Sequence, residues 1–403
     1  MITDANTASI TGTKQFEHLV STGGYIITAA GRPLIQDNVH EPFIPASTIK
    51  IATSLAALEI LGPNYRYKTA FYLSDDAVLC IKGYGDPSLT SEAIEEIVLA
   101  LKKRSIRSIS AIVLDDTLFQ NAESNDWGGN SDNPYDAPNS ALAVNYNSIA
   151  LRKHGNGTIT TGEKQTPYIP LMDEIGQHLK PGLHRVNVAA FSRPSQINHS
   201  LRYAGQLFKA ILLREGIEVR GSFRKGQIDA KSQPIYTYSN PKTLEDVIRE
   251  CLKYSNNFIA NQLFLTAGLV RYGYPATWKK ARRTMNEFLS ESLGLSANSY
   301  SIWEGSGLSR KNAVTPAFLA AVLEVFKPYG FLLPKNSHGF IKSGTMSDVY
   351  SYAGYFSSQE RLDPFVILLN QNRNTREELL VKLHRLYQEY VGDRQSRPFG
   401  NAN

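Results

Sequence analysis

A serine and a lysine stand three residues apart where a helical pattern begins. From Ser47 and Lys50 onward, apolar residues recur at helical spacing as far as Leu61, and Gly62-Pro63 ends the pattern. Residues i and i+3 share one face of a helix, so the hydroxyl and the amine can lie side by side. A serine is a weak nucleophile without a base, and a lysine kept neutral by burial or by another cation can act as that base. The spacing therefore predicts a Ser47 nucleophile activated by Lys50.

Taken alone, this pair has a simpler interpretation, in which Ser47 is a helix N-cap and Lys50 is a surface lysine. The apolar residues around the pair favour a central, buried helix, where a solvated lysine is harder to accommodate. The choice between the two interpretations depends on whether partner motifs follow along the chain.

Two further groups of polar residues could complete such a site. Ser255 and Asn257 stand two apart between two helical segments, where they can offer a hydroxyl and a carboxamide to one cleft. The segment Lys342–Thr345 precedes a predicted strand, and its cation and hydroxyls could bind an anion while Gly344 lets a substrate backbone approach. The alternatives are a helix N-cap for the first group and an edge-strand lysine that opposes aggregation for the second.

In this order the motifs S-x-x-K, S-x-N and K-[ST]-G form the signature of penicillin-binding proteins and serine β-lactamases. Ser255 follows Ser47 by 208 residues, a spacing much longer than β-lactamases use. With this long insertion the chain resembles the D-alanyl-D-alanine carboxypeptidase/endopeptidase family, the class C low-molecular-mass penicillin-binding proteins. The resemblance runs from about Gly24 to Asn370. Besides the three motifs it includes the segments Leu61–Tyr67, Gly83–Thr90, Val113–Phe119, Ala137–Asn145 and Gly305–Arg310.

Three positions depart from the family pattern. Tyr84 stands where the family usually has glycine, Glu304 where it usually has aspartate, and Ser343 where it usually has threonine. Each replacement keeps the chemistry, so the departures concern fine specificity rather than activity.

The resemblance implies an acyl-enzyme mechanism. Ser47 attacks the carbonyl between two D-alanines, Lys50 is its base, and water later hydrolyses the ester. Ser255 relays a proton toward the leaving amine, Asn257 binds the substrate's amide, and Lys342 supplies positive potential.

The resemblance also implies a set of substrate-binding residues. The hydroxyls of Ser343 and Thr345 bind the terminal carboxylate, and backbone N–H groups of Ser47 and Thr345 form the oxyanion hole. A pocket for the penultimate side chain is expected near the long loop over residues 121–139. The candidate oxyanion and substrate-binding residues are Ser343, Gly344, Thr345, Met346, Trp127 and Asp132. For Trp127 a packing role, and for Asp132 a turn, are the alternatives.

The predicted fold class is α/β of the α+β kind. We expect a serine β-lactamase/transpeptidase-like domain, with an antiparallel sheet flanked by helices, interrupted by a large inserted module. Residues 1–62 and 243–403 are predicted to form the catalytic domain, and residues 63–242 an accessory module of one or two small subdomains. Within that module, the texture of Ala141–Arg152 predicts a strand.

Composition narrows the classes of function. The 403 residues are 42% hydrophobic and 20% charged, which is typical of two or three globular domains. The net charge of +6 is mild, and the basic clusters Lys102–Arg104 and Lys279–Arg283 lie in helical patterns, so we expect solvated helix faces and no nucleic-acid partner. Two cysteines, Cys80 and Cys251, and eight scattered histidines predict no disulfide framework, metal or cofactor.

The sequence also bears on location. No apolar run reaches the roughly 18 residues that span a bilayer, so no transmembrane segment is expected. The first 13 residues are polar and lack the order of a signal peptide. The family resemblance nevertheless implies a periplasmic or other extracytoplasmic location. The sequence does not indicate an oligomeric state.

The function predicted is a penicillin-sensitive D,D-peptidase, a carboxypeptidase or endopeptidase, whose partners are peptidoglycan stem peptides and β-lactam antibiotics. One alternative is a serine β-lactamase, for which we identify no group that drives fast deacylation. Another is a catalytically silent cell-wall-binding protein, which the intact motifs disfavour. A Ser-His-Asp hydrolase is disfavoured because Glu304 replaces the first glycine of a G-x-S-x-G elbow.

Overall fold

The computed structural model describes residues 10–11, 16–120, 131–191, 197–229, 231–358 and 361–395. The chain divides into two compact units. The first unit draws on Met1–Ala56, Arg249–Ser255 and Met285–Asn403, and the second on Ala57–Ile248 and Asn256–Thr284. The predicted boundaries of the catalytic domain at residues 62 and 243 remain a prediction.

The strands, in chain order, are β1 (Ile10–Thr11), β2 (Gly23–Ala29), β3 (Arg32–Asp37), β4 (Lys68–Leu73), β5 (Val78–Gly83), β6 (Ser108–Ile109), β7 (Ala111–Asp115), β8 (Ser148–Lys153), β9 (Ile159–Thr161), β10 (Gly182–Asn187), β11 (Glu218–Val219), β12 (Phe223–Lys225), β13 (Tyr236–Ser239), β14 (Tyr300–Ser301), β15 (Ala313–Val314), β16 (Lys335–Asn336), β17 (Gly339–Met346), β18 (Val349–Ser358) and β19 (Arg361–Leu369). The α-helices are α1 (Lys50–Leu61), α2 (Ser91–Lys103), α3 (Pro170–Gly176), α4 (His199–Arg214), α5 (Leu244–Tyr254), α6 (Asn257–Tyr272), α7 (Trp278–Glu287), α8 (Pro316–Phe326) and α9 (Arg376–Gln395).

The first unit is built on a seven-stranded sheet with the order β1-β3-β2-β19-β18-β17-β16. Its pairs are antiparallel, except that β1 runs parallel to β3. In β17, Lys342 is opposite Ala353 and Gly344 is opposite Ser351 of β18. The short strand β16 pairs with Gly339 and Phe340, and the Ile341 N–H donates to the Pro334 carbonyl, so among the described residues Lys342–Met346 of β17 form an open edge. An extended substrate can pair with an edge of this kind.

Helices cover this sheet and explain why its central strands are apolar. Helix α9 contributes Leu379, Leu383 and Tyr387 to a buried cluster with Phe356 and Phe365. Helix α8 packs on β2 and β19. Residues Pro364–Leu369 of β19 are buried without alternation, as expected for a strand covered on both faces. The predicted antiparallel sheet flanked by helices is thus confirmed.

The second unit holds a five-stranded sheet with the order β12-β7-β5-β4-β13 and a three-stranded sheet with the order β10-β8-β9. Its core includes apolar residues of α2, α3 and α4. The predicted strand over Ala141–Arg152 is wrong for its first half, because only β8 is extended. Asn145, Tyr146 and Asn147 have positive φ angles of 48°, 59° and 50°, which place them in the left-handed region.

Among the residues that the structure describes, no helix is both long enough and apolar enough to cross a membrane.

Candidate active site

Ser47 lies in a 3₁₀ turn, Ala46–Ile49, that leads directly into α1. Ala46, just before it, has φ +46°, a conformation that costs a non-glycine residue about 1 kcal/mol or more. The carbonyl of Pro45 accepts hydrogen bonds from Thr48 Oγ1 at 2.7 Å and from Ser351 Oγ of β18 at 2.6 Å. The sheet therefore fixes the turn and holds the serine in a strained, defined position.

The first lysine of the site contacts this serine directly. Lys50 Nζ donates to Ser47 Oγ at 2.8 Å and to the backbone carbonyl of Ser306 at 2.5 Å. Lys50 is completely buried, and burial lowers its pKa to about 8, against opposing contributions from Cys251 and Glu304. An amine that loses its proton near pH 8 can serve as a base for the hydroxyl it contacts. The predicted Ser47–Lys50 pair is thus present in the structure.

A buried carboxylate organises the loop that holds Lys50. Glu304 is completely buried, and its two carboxylate oxygens accept five hydrogen bonds. The donors are the backbone N–H groups of Ser306 (2.7 Å), Gly307 (2.7 Å) and Ser309 (3.2 Å), Ser306 Oγ (2.5 Å) and Asn312 Nδ2 (2.7 Å). The loop approaches Ala46 so closely that a Cβ on Gly307 (φ +85°) would lie 1.9 Å from the Ala46 carbonyl oxygen. In the sequence this segment contributes to the family resemblance, but no spacing indicates its contact with Lys50.

The second lysine pairs with the second serine. Lys342 Nζ donates to Ser255 Oγ at 2.8 Å and to the Ser343 carbonyl at 2.7 Å. Burial, together with the charges of Lys50 and Arg376 and against the effect of Cys251, lowers the pKa of Lys342 to about 7. Ser255 has φ +53°, a second strained residue in the site. The predicted group of two serines and two lysines is therefore assembled within the first unit.

Glycine is required where β17 meets the nucleophile. A Cβ on Gly344 would lie 2.8 Å from the backbone nitrogen of Ser47, 2.9 Å from the Pro45 carbonyl oxygen and 2.3 Å from Ser351 Oγ. These distances are too short for any side chain unless the strand moves. The open edge of β17 is thus held against the N–H group predicted to line the oxyanion hole. Ser343 and Thr345 are exposed beside it, and Met346 is half-buried.

An arginine absent from the predicted site contacts this strand. Arg376, the first residue of α9, donates from Nη1 to the carbonyl oxygens of Gly344 (2.7 Å) and Ser351 (3.1 Å), and to Thr345 Oγ1 (3.1 Å). The only sequence signal is its place at the start of α9, some 30 residues after the K-[ST]-G motif. Nothing in that spacing indicates that the two meet.

Two predicted residues belong to the second unit, and a third falls outside the described residues. Asn257 and Asp132 are the two residues of the second unit. Asn257 Nδ2 donates to the Tyr135 carbonyl at 3.3 Å. Asp132 is exposed, and its backbone carbonyl accepts a hydrogen bond from the Asn187 N–H at 3.0 Å. Trp127 falls outside the described residues. The roles predicted for these residues remain predictions. Among the described residues, no group of three or more His, Cys, Asp or Glu side chains could hold a metal ion.

Comparison with known proteins places the chain in a family. Residues 11–176 and 186–329 match the D-Ala-D-Ala carboxypeptidase 3 (S13) family, and the chain belongs to that family. It is 24% identical to a D-alanyl-D-alanine carboxypeptidase of Haemophilus influenzae over 70% of this chain and 65% of the relative. It is also 24% identical to a D-alanyl-D-alanine carboxypeptidase of Actinomadura sp. over 74% of this chain and 63% of the relative. The chain thus spans somewhat less than two thirds of the length of these relatives.

A solved structure establishes the same fold. Penicillin-binding protein 4 from Haemophilus influenzae matches with a TM-score of 0.77 and 20% identity, over 93% of this chain and 98% of that chain. A second structure of that protein is complexed with a β-lactam. The predicted family and fold class are confirmed.

Proposed function

We propose that this protein is a serine D,D-peptidase that cleaves the bond after a D-alanine in peptidoglycan stem peptides and is acylated by β-lactams. The observation that carries the proposal is the 2.8 Å hydrogen bond between Ser47 Oγ and Lys50 Nζ, together with the complete burial of that lysine. A buried amine with a pKa of about 8 provides the base that a serine nucleophile lacks. Family membership supports the choice of substrate.

In the acylation step, neutral Lys50 accepts the Ser47 hydroxyl proton while Oγ attacks the D-Ala carbonyl. The Ser306 carbonyl keeps Nζ directed at Oγ, because it binds the amine at 2.5 Å. The N–H groups of Ser47 and Thr345 stabilise the oxyanion, a contribution of typically about 3–4 kcal/mol per donor. The carbon–nitrogen bond then breaks and leaves an ester on Ser47.

The leaving amine needs a proton, and the second pair is suited to supply it. Ser255 Oγ accepts a hydrogen bond from Lys342 Nζ, so its own proton can pass to the departing nitrogen and be replaced from Lys342. Burial and neighbouring cations lower the pKa of Lys342 to about 7, which makes this transfer easier than from an ordinary lysine. Asn257 is assigned the substrate's amide. Water then hydrolyses the ester.

The substrate class fits the open edge of β17. An extended peptide can pair with the edge, and its terminal carboxylate then lies near Ser343, Thr345 and the positive charge of Lys342. Stem peptides are found in the cell wall, so we place the working location outside the cytoplasm.

The proposal is tested by labelling the purified protein with a fluorescent penicillin. We expect a stable covalent label on the parent protein and none on Ser47→Ala. Ser54→Ala is the matched control, because Ser54 is buried in α1 and its hydroxyl has no hydrogen-bond partner among the described residues. This control should label like the parent.

Synthetic stem peptides then identify the reaction. Release of terminal D-alanine indicates a carboxypeptidase, and cleavage of a cross-linked dimer indicates an endopeptidase. Absence of label with intact antibiotic would overturn the proposal in favour of a binding role. Absence of label with rapid destruction of the antibiotic would favour a β-lactamase.

A further inference from the structure

Arg376 is anchored to β17 and β18 by hydrogen bonds as well as by packing. Its Nη1 donates to two backbone carbonyls, Gly344 and Ser351, which are opposite each other on neighbouring strands. Its guanidinium carbon lies 4.0 Å from the centre of the Tyr352 ring, which fixes the plane of the group. The guanidinium is therefore held rigidly beside the open edge of β17.

The third hydrogen bond from Nη1 sets the direction of a hydroxyl. Nη1 has two hydrogens, so one of them is shared between a backbone carbonyl and Thr345 Oγ1, which lies 3.1 Å away in a solvent-exposed contact. A threonine hydroxyl has one proton to donate and two lone pairs to accept with. Since arginine occupies a lone pair, the Thr345 proton points elsewhere and needs an acceptor. Thr345 is thus prepared as a donor.

The local charge selects the kind of acceptor. Within the part of the chain that the structure describes, no carboxylate forms an ion pair with Arg376. Its charge reaches Lys342, whose pKa it helps to lower. Two cations and an exposed hydroxyl donor at one strand end form a site for an anion of about the size of a carboxylate.

We propose that Arg376 is a specificity residue that makes this site select substrates with a free carboxylate on the residue that leaves. It does so by orienting the Thr345 hydroxyl and by placing a fixed positive charge beside it. The inference rests on the proposed D,D-peptidase function and adds to it the residue, Arg376, that enforces recognition of the carboxylate.

The test compares paired substrates that differ only in that charge. N,N′-Diacetyl-L-Lys-D-Ala-D-Ala is compared with its C-terminal carboxamide, and acylation by benzylpenicillin with acylation by its methyl ester. For each pair the ratio of kcat/KM, or of acylation rates, is measured in the parent protein, Arg376→Met and Arg376→Lys. Such a ratio is insensitive to the fraction of protein that is folded.

We expect the parent protein to prefer the free carboxylate by about tenfold or more, since a charge-assisted hydrogen bond is lost with the carboxamide. Arg376→Met should remove most of that preference, mainly through KM, and Arg376→Lys should restore part of it. Arg373→Met is the matched control. It removes the same charge three residues earlier, on an exposed side chain, and should keep the ratio of the parent protein.

Equal losses for both members of each pair in Arg376→Met would overturn the inference and leave Arg376 a structural role. A ratio that stays unchanged because neither rate falls would overturn it as well. If the parent protein cleaves neither peptide but is acylated by penicillin, the peptidase proposal fails, while the penicillin ratio still decides the role of Arg376.

Discussion

Replacing Glu304 by glutamine tests whether this carboxylate builds the loop that holds Lys50. In the structure Oε1 accepts three hydrogen bonds and Oε2 accepts two, all at 2.5–3.2 Å. Glutamine replaces one carboxylate oxygen by an NH₂ donor. If Oε2 is the oxygen replaced, at least the Ser306 N–H loses its acceptor, and the remaining hydrogen bonds are made to a neutral group. Hydrogen bonds to a charged group contribute about 1.5–3 kcal/mol each, so we expect Glu304→Gln to lower the free energy of unfolding by about 2–4 kcal/mol.

The change should also move the pH dependence of acylation. The Glu304 charge favours the protonated form of Lys50 and so raises its pKa, as Cys251 also does, against the lowering effect of burial. Without that charge the neutral amine forms more readily. The rate of acylation by fluorescent penicillin should therefore begin to rise at a lower pH than in the parent protein.

Urea unfolding and a pH series of acylation rates measure the two effects. Glu378→Gln is the matched control, since Glu378 forms an exposed pair with Lys382 at 3.6 Å and should change stability by less than about 1 kcal/mol. A Glu304→Gln protein as stable as this control would refute the hydrogen-bond argument. An unchanged pH profile would refute the electrostatic one.

Four further predictions concern the same site. Acylation should increase as the pH rises through about 8, because Lys50 must lose its proton. Since the folded-state pKa values of Lys50 and Lys342 are lowered, the unfolded chain binds more protons above about pH 7; urea unfolding should show stability rising between about pH 7 and pH 8.5, with a smaller rise in Lys342→Met. Gly344→Ala should slow penicillin acylation at least about 10²-fold, because the added Cβ displaces β17 from the Ser47 nitrogen; a labelling rate equal to that of the parent would contradict this reason. Ser255→Ala should slow peptide cleavage by about 10²–10⁴-fold, the range for proton transfer, in a stopped assay where Ser54→Ala stays normal.

Much of the fold follows from local sequence. Helices α2 and α8 each begin after a threonine, Thr90 or Thr315, whose hydroxyl accepts a first-turn N–H, and Pro316 opens α8, so their starts can be predicted from the sequence. Strands β18 and β19 are mainly apolar stretches separated by polar residues in the sequence, so their approximate positions are also predictable. The failure at residues 141–147 has a long-range cause. The side chain of Asn145 bonds to Ser91 and Tyr203, which are distant in sequence, and these contacts stabilise a left-handed turn that propensity does not anticipate.

For the site, the sequence by itself determined the residue types and their order. Ser47, Lys50, Ser255 and Lys342 are recognisable because each belongs to a short motif whose spacing carries a chemical meaning. Only the tertiary structure decided that Glu304 and Arg376 act on them. Glu304 holds the loop whose Ser306 carbonyl contacts Lys50, and the guanidinium of Arg376 contacts Thr345. Both contacts are long-range, and no local spacing encodes them. The lowered pKa values of the two lysines likewise come from burial, which exists only once the sheet and helices have closed around them.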